Sequence, residues 1–115
     1  MEMETTSLAT SQVKVVLKGR LDTAGVDRIE TKFVAALVPR GYSAIVDLSE
    51  VAFVASMGLR MLISVARTLG RKNARLVLFA PQEGVREVFE SVSLGDIIAI
   101  RDTEGDALAA LQAPA

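Results

Sequence analysis

The run AIVDL at positions 44–48 restricts what this chain can become more than any other segment. Four of its five residues are apolar and two in succession are β-branched (Ile45, Val46), which reads as a strand hidden from water on both faces. ARLVLF at 74–79 and IIAI at 97–100 repeat the pattern. Strands without a polar side need covering layers, and the segments between these runs carry the helical period that supplies them, so the chain is expected to be α/β.

The remaining elements follow from spacing and punctuation. In QVKVVLKG, 12–19, Val13, Val15 and Leu17 share one face and Lys14 and Lys18 the other, the period of a half-buried strand, which Gly19 closes. Residues 1–10 are poorly defined or form a short edge strand around Leu8, paired with the next as a hairpin. Asp22 or Thr23 caps a first helix with Val26, Ile29, Phe33 and Leu37 at spacings of three and four, ended by Pro39 and Gly41. SEVAFVASMG reads as a turn-like segment before a helix that ends at Arg71. Pro81 opens a third helix carrying Val85, Val88, Phe89 and Val92, with Gly95 ending the turn after it. Thr103, with Asp106 three residues on, starts a last helix that points Leu108 and Leu111 inward, and 112–115 form a frayed tail. The expectation is one domain over 1–115, with a mixed, largely parallel sheet of four to five strands packed against about four helices.

Inventory excludes much chemistry. The 115 residues contain no His, Cys or Trp. A Ser-His-Asp or Cys-His pair, a disulfide and a Cys/His zinc site are therefore impossible. Thirteen basic against fourteen acidic side chains and five aromatic residues give nucleic acid neither a basic footprint nor a stacking platform. No apolar run approaches the roughly 18 residues of a membrane span, and the acidic, hydroxyl-rich start is unlike a signal peptide, so a cytoplasmic protein without membrane insertion is expected. Neither GxxxxGK[ST] nor GxGxxG occurs. Asp22, Asp47 and Glu50 are the only carboxylates that suggest a cation site or a hydrolase, and each reads more simply as a cap or turn residue. No catalytic residue, cofactor or metal is assigned.

Ser56 stands between a strand end and a helix start, two residues before Gly58. It reads either as a helix N-cap or as a hydroxyl whose phosphate would meet the unpaired N–H groups and positive dipole end of the helix. Around that helix, Leu59, Leu62, Ile63, Ala66, Leu69 and Gly70 form a stripe expected to pack on the sheet. Met57, Met61, Val65 and Thr68 form a second stripe beyond Ser56, flanked by Arg60, Ser64, Arg67 and Arg71. Met beside Arg is typical of interfaces, so this second stripe is either a partner-docking face or is covered by a neighbouring segment.

GRLD at 19–22, IVDLSEVAFVASMGLRML at 45–62, the turn GRKNARLVLFAP and the V-x-x-V-F helix before Leu94 resemble, in order and spacing, the STAS domain family. Within the family it resembles the anti-sigma factor antagonist type. That resemblance implies partner switching: the unmodified protein binds an anti-sigma factor that is also a serine kinase, and phosphorylation ends the binding. The position matching the family's phosphorylated hydroxyl is Ser56. Ala55 stands where an acidic residue is usual, and Met57 where a second Ser often follows. The docking set implied is Asp22, Ala55, Ser56, Met57, Gly58, Arg60, Met61, Ser64, Val65, Arg67 and Arg71. The alternative is a constitutive accessory subunit of a lipid-trafficking ABC transporter or of a stress-sensing scaffold. A second copy of the chain, paired through the N-terminal strand edge, is a further candidate partner.

Overall fold

In the computed structural model, which describes residues 1–113, β1 (Glu2–Ala9) and β2 (Gln12–Leu21) form an antiparallel hairpin turned by Thr10 and Ser11. Then follow α1 (Thr23–Leu37), β3 (Ser43–Val54), α2 (Ser56–Arg71), β4 (Leu76–Phe79), α3 (Glu83–Ser91), a 3-10 turn (Leu94–Asp96), β5 (Ala99–Arg101) and α4 (Glu104–Gln112). The strand order in the sheet is the chain order, β1-β2-β3-β4-β5, and β2 to β5 are parallel.

That order explains the layers. Right-handed crossovers stepping one way across a sheet leave all their helices on one side. Val26, Ile29 and Phe33 of α1, Leu62 and Leu69 of α2, and Val85 and Phe89 of α3 accordingly share one core with Val15, Leu17, Val46 and Leu78. α4 follows the last strand and is free to cross to the other side, where Ala107 and Leu111 cover Ile45, Val77 and Phe79. The alternation of Val46 and Ile45 between the two cores is the reason that AIVDL has no polar side. Lys14 on β2 holds α4 through Glu104 at 2.6 Å, and that bond raises the lysine's pKa.

β3 pairs with β4 only over Ala44–Asp47, yet it stays paired with β2, through two register shifts, as far as Leu21 and Val54. The two strands thus run beyond the rest of the sheet as a ribbon. Its tip delivers the starts of both α1 and α2.

Several elements differ from the sequence reading. SEVAFV, expected as a turn, is the second half of β3, because pairing with β2 satisfies its backbone where the side-chain pattern alone is weak. β2 continues two residues past Gly19, which adopts a φ of 117° beside a register shift. β1 is a full strand of eight residues. β4 and β5 begin two residues later than expected, and α3 starts at Glu83 with Gln82 as its cap. In α4 the buried pair is Ala107 and Leu111, with Leu108 only half-buried, while Thr103 accepts from the Asp106 N–H as expected. The expected tail 112–115 lies, after Ala113, outside the described residues. Among the described residues no polar or charged side chain is buried, and no helix is long and apolar enough to cross a membrane.

Candidate docking and phosphorylation site

The ribbon tip is closely built. The Ala55 N–H donates to the Leu21 carbonyl at 3.0 Å, fixing the entry to α2 against the end of β2. A Cβ on Gly58 would stand 2.6 Å from that same carbonyl oxygen and 2.7 Å from Leu21 Cγ, so only glycine lets the first turn of α2 approach. Gly25 does the same for α1, where a Cβ would lie 2.0 Å from the Arg20 carbonyl oxygen. Two helix starts are thereby pressed against consecutive residues of one strand.

The N-cap of α2 is Ala55, and no side chain caps the helix. The reading of Ser56 as a cap is therefore corrected: Ser56 is the first helical residue, exposed, with its hydroxyl outside the capping position. The first-turn N–H groups are left without a side-chain acceptor, which favours an added anion over a neutral hydroxyl.

The expected stripes of α2 are also corrected. Met61 is 1% and Val65 3% exposed, and both belong to the main core with Gly58, Leu62 and Leu69. Neither offers a partner its side chain. Leu59, Ile63 and Ala66, expected to face the sheet, are half-buried flanks, and Gly70 is exposed. The buried arc is rotated because α2 packs against α1 as well as the sheet, and the spacing along one helix does not reveal where the neighbouring helix lies. At 100° per residue, Ser56, Arg60, Ser64, Arg67 and Arg71 fall within an arc of about 80° opposite the buried one. All five are exposed, and Met57 is half-buried at the margin. α2 contains three arginines and no acidic residue, so its free face is positive.

Asp22 is the N-cap of α1, accepting from the Gly25 N–H at 2.9 Å. Arg20 Nε reaches its other oxygen at 3.3 Å. The Gly25 N–H first, and then Arg20, hold the Asp22 carboxyl below the ordinary value of 3.8. A group with a lowered folded pKa stabilises the fold above its unfolded pKa, and that contribution is lost as pH falls through the folded value. Carbon-detected NMR titration of the Asp22 carboxyl is expected to show a midpoint below 3.8; one at or above it would mean the cap bond does not form in solution. Asp47 accepts from the Ser49 N–H, and Glu50 lies 3.7 Å from Lys18. Asp47 and Asp22 stand at opposite ends of the ribbon: Asp47 lies opposite Val16, six positions before Asp22, or roughly 20 Å at the strand rise. No group of three or more carboxylates among the described residues is placed to hold a metal.

Sequence reasoning missed Phe53. It is 39% exposed, and the Arg20 guanidinium lies over its ring at 4.3 Å. The one available signal was a Phe in an otherwise small and polar stretch, and its partner emerges only from the strand register.

A mixed five-stranded sheet with three helices on one side and one on the other, whose longest strand pair presents a helix start, is the architecture of a STAS-type domain. The sequence agrees: the STAS domain family model matches residues 2–107, and the chain belongs to that family. It is 32% identical over 97 residues to BtrV of Bordetella bronchiseptica, described provisionally as an anti-sigma factor antagonist, a match spanning 84% of this chain and 83% of the relative. It is 27% identical over 97 residues to the anti-sigma-B factor antagonist of Listeria monocytogenes, spanning 84% and 85%. Among solved structures, the anti-sigma factor antagonist SpoIIAA in its unphosphorylated form shares the fold with a TM-score of 0.77 at 23% identity, covering 99% of each chain. The phosphorylated form of this Bacillus protein gives 0.72 at 23%, covering 96% of this chain and all of the other.

Proposed function

We propose that this protein is a non-catalytic anti-sigma factor antagonist. It binds an anti-sigma factor serine kinase through the Ser56 end and the exposed arc of α2, and phosphorylation of Ser56 by that kinase ends the complex. The observation that carries this is the position of Ser56: exposed, first in its helix, beside an uncapped turn, and on the same arc as Arg60, Ser64, Arg67 and Arg71. The names of the curated relatives support the antagonist role, and the existence of SpoIIAA in phosphorylated and unphosphorylated forms supports a switch by modification.

The electrostatics favour such a switch. A phosphoryl group brings about −1.5 to −2 charges at neutral pH. The exposed arc carries three arginines, so one phosphate cancels about half to two-thirds of the charge that attracts an acidic partner. Within the protein the phosphate is welcome at the helix start, so no refolding is required for binding to end. The absence of a carboxylate at Ala55 removes a repulsive neighbour from the phosphorylated state.

Incubation with the kinase encoded by the same organism and ATP, followed by mass spectrometry, is expected to place one phosphate on Ser56. Ser56→Glu is expected to weaken kinase binding about thirtyfold or more, the size of an interface hot spot. Phosphate found only elsewhere, or unchanged binding by Ser56→Glu, would remove the switch.

A further inference from the structure

Four phenylalanines are present. Phe33, Phe79 and Phe89 are at most 3% exposed, whereas Phe53 is 39% exposed. Phe53 lies opposite Arg20 in the β2–β3 register. Its neighbours Leu21 and Val54 are both core residues, so the pleat turns Phe53 and Arg20 to the outer side of the ribbon. The guanidinium stacks on the ring at 4.3 Å and is held from its Nε by Asp22 at 3.3 Å. Asp22 is itself fixed by the Gly25 N–H. An exposed arginine ordinarily loses rotamer freedom on binding a partner. Here the Phe53 ring and Asp22 already restrain the side chain in the free protein, and the two terminal amino groups have no hydrogen bond among the described residues.

We infer that the Arg20–Phe53 stack is a preformed anchor for the protein partner, accepting an apolar side chain on the free part of the ring and a carboxylate on the terminal amino groups of the guanidinium. The inference rests on the reading of the chain as a kinase-binding antagonist and extends its docking surface around the ribbon tip. Phe53 precedes Ser56 by three residues, which places the two within about 11 Å of each other. The occupant is the acidic protein surface that reaches Ser56: the terminal amino groups of Arg20 call for a carboxylate, and around the ribbon tip the stack adjoins the helix whose exposed arc carries Arg60, Arg67 and Arg71 with no carboxylate among them. An aromatic ring and an arginine fork are the side chains that dominate interface energetics, and a planar guanidinium takes a carboxylate through paired N–H donors.

The test is calorimetric titration of the full chain into the kinase that phosphorylates Ser56, at low and moderate salt. Phe53→Ala is expected to weaken binding about thirtyfold, with a melting temperature close to that of the wild type because the ring is exposed. Arg20→Gln is expected to weaken binding several-fold and to flatten its salt dependence. Arg20→Lys, which keeps the charge and loses the fork, is expected to fall with Arg20→Gln. Val92→Ala, at another exposed apolar side chain, is expected to bind as the wild type does. If Phe53→Ala and both Arg20 variants bind within twofold of the wild type while Ser56→Glu does not bind, the anchor is wrong and the antagonist reading stands. If the wild type itself fails to bind the kinase, both fall. Should Phe53→Ala melt early, Phe53→Leu keeps the bulk without the aromatic face and is expected to lose affinity at unchanged stability; wild-type affinity in that variant would overturn the anchor.

Discussion

Met61→Ala is expected to destabilise the fold by about 2–5 kcal/mol, the range for truncating a fully buried methionine. Met61 is 1% exposed and part of the main core, so its loss leaves a cavity that the surrounding close-packed side chains cannot fill without moving backbone. Arg67→Ala, on the opposite side of the same helix, is expected to change stability by no more than about 0.5 kcal/mol. Urea unfolding of the two variants decides whether Met61 is core or docking surface. A near-zero effect for Met61→Ala, joined to weaker kinase binding, would restore the arrangement that the sequence spacing suggests.

The second large effect is at Gly58. An alanine there would place its Cβ 2.6 Å from a backbone oxygen, and backbone cannot step aside as a flexible side chain can. The expected loss is about 3 kcal/mol or more, at the upper end of overpacking costs, which for a domain of this size lowers the melting temperature by roughly 15 °C. Gly70→Ala is the contrasting case. Gly70 lies in the same helix with nothing near its missing Cβ, so alanine is expected to stabilise by roughly 0.5–1 kcal/mol through helix propensity. Opposite signs for one substitution at two positions of one helix would show that the α2–β2 approach, rather than helix propensity, sets the requirement at Gly58. Equal signs would contradict the packing at the ribbon tip.

Much of this architecture was legible in the chain itself. Runs such as AIVDL and LVLF have no polar side, and they could be read as strands buried on both faces because residue period alone records burial. Asp22 and Thr103 announced helix starts for the same local reason, since a cap is made within four residues. What local pattern does not record is what lies next door. SEVAFV joins a strand only because β2 continues beside it. The orientation of α2 depends on α1 as well as on the sheet, which is why Met61 and Val65 were placed outside. The Arg20–Phe53 stack joins residues 33 positions apart through register, and register is not written in either segment. Ser56 stands between a strand end and a helix start as its sequence position suggests, but the N-cap reading of it fails, because a shift of one residue at a helix start separates a capping hydroxyl from a free one.

α2 keeps its two kinds of residue apart. Gly58, Met61, Leu62, Val65 and Leu69 answer to the interior, and Ser56, Arg60, Ser64, Arg67 and Arg71 to solvent. Substitutions in the second set leave the first undisturbed, since exposed changes of this kind rarely alter stability by more than about 0.5 kcal/mol. Duplicated copies of such a gene can therefore diverge in which partner they choose without renegotiating how they fold. A cell holding several related domains of this fold can keep their partners separate by altering a handful of exposed side chains on a common scaffold.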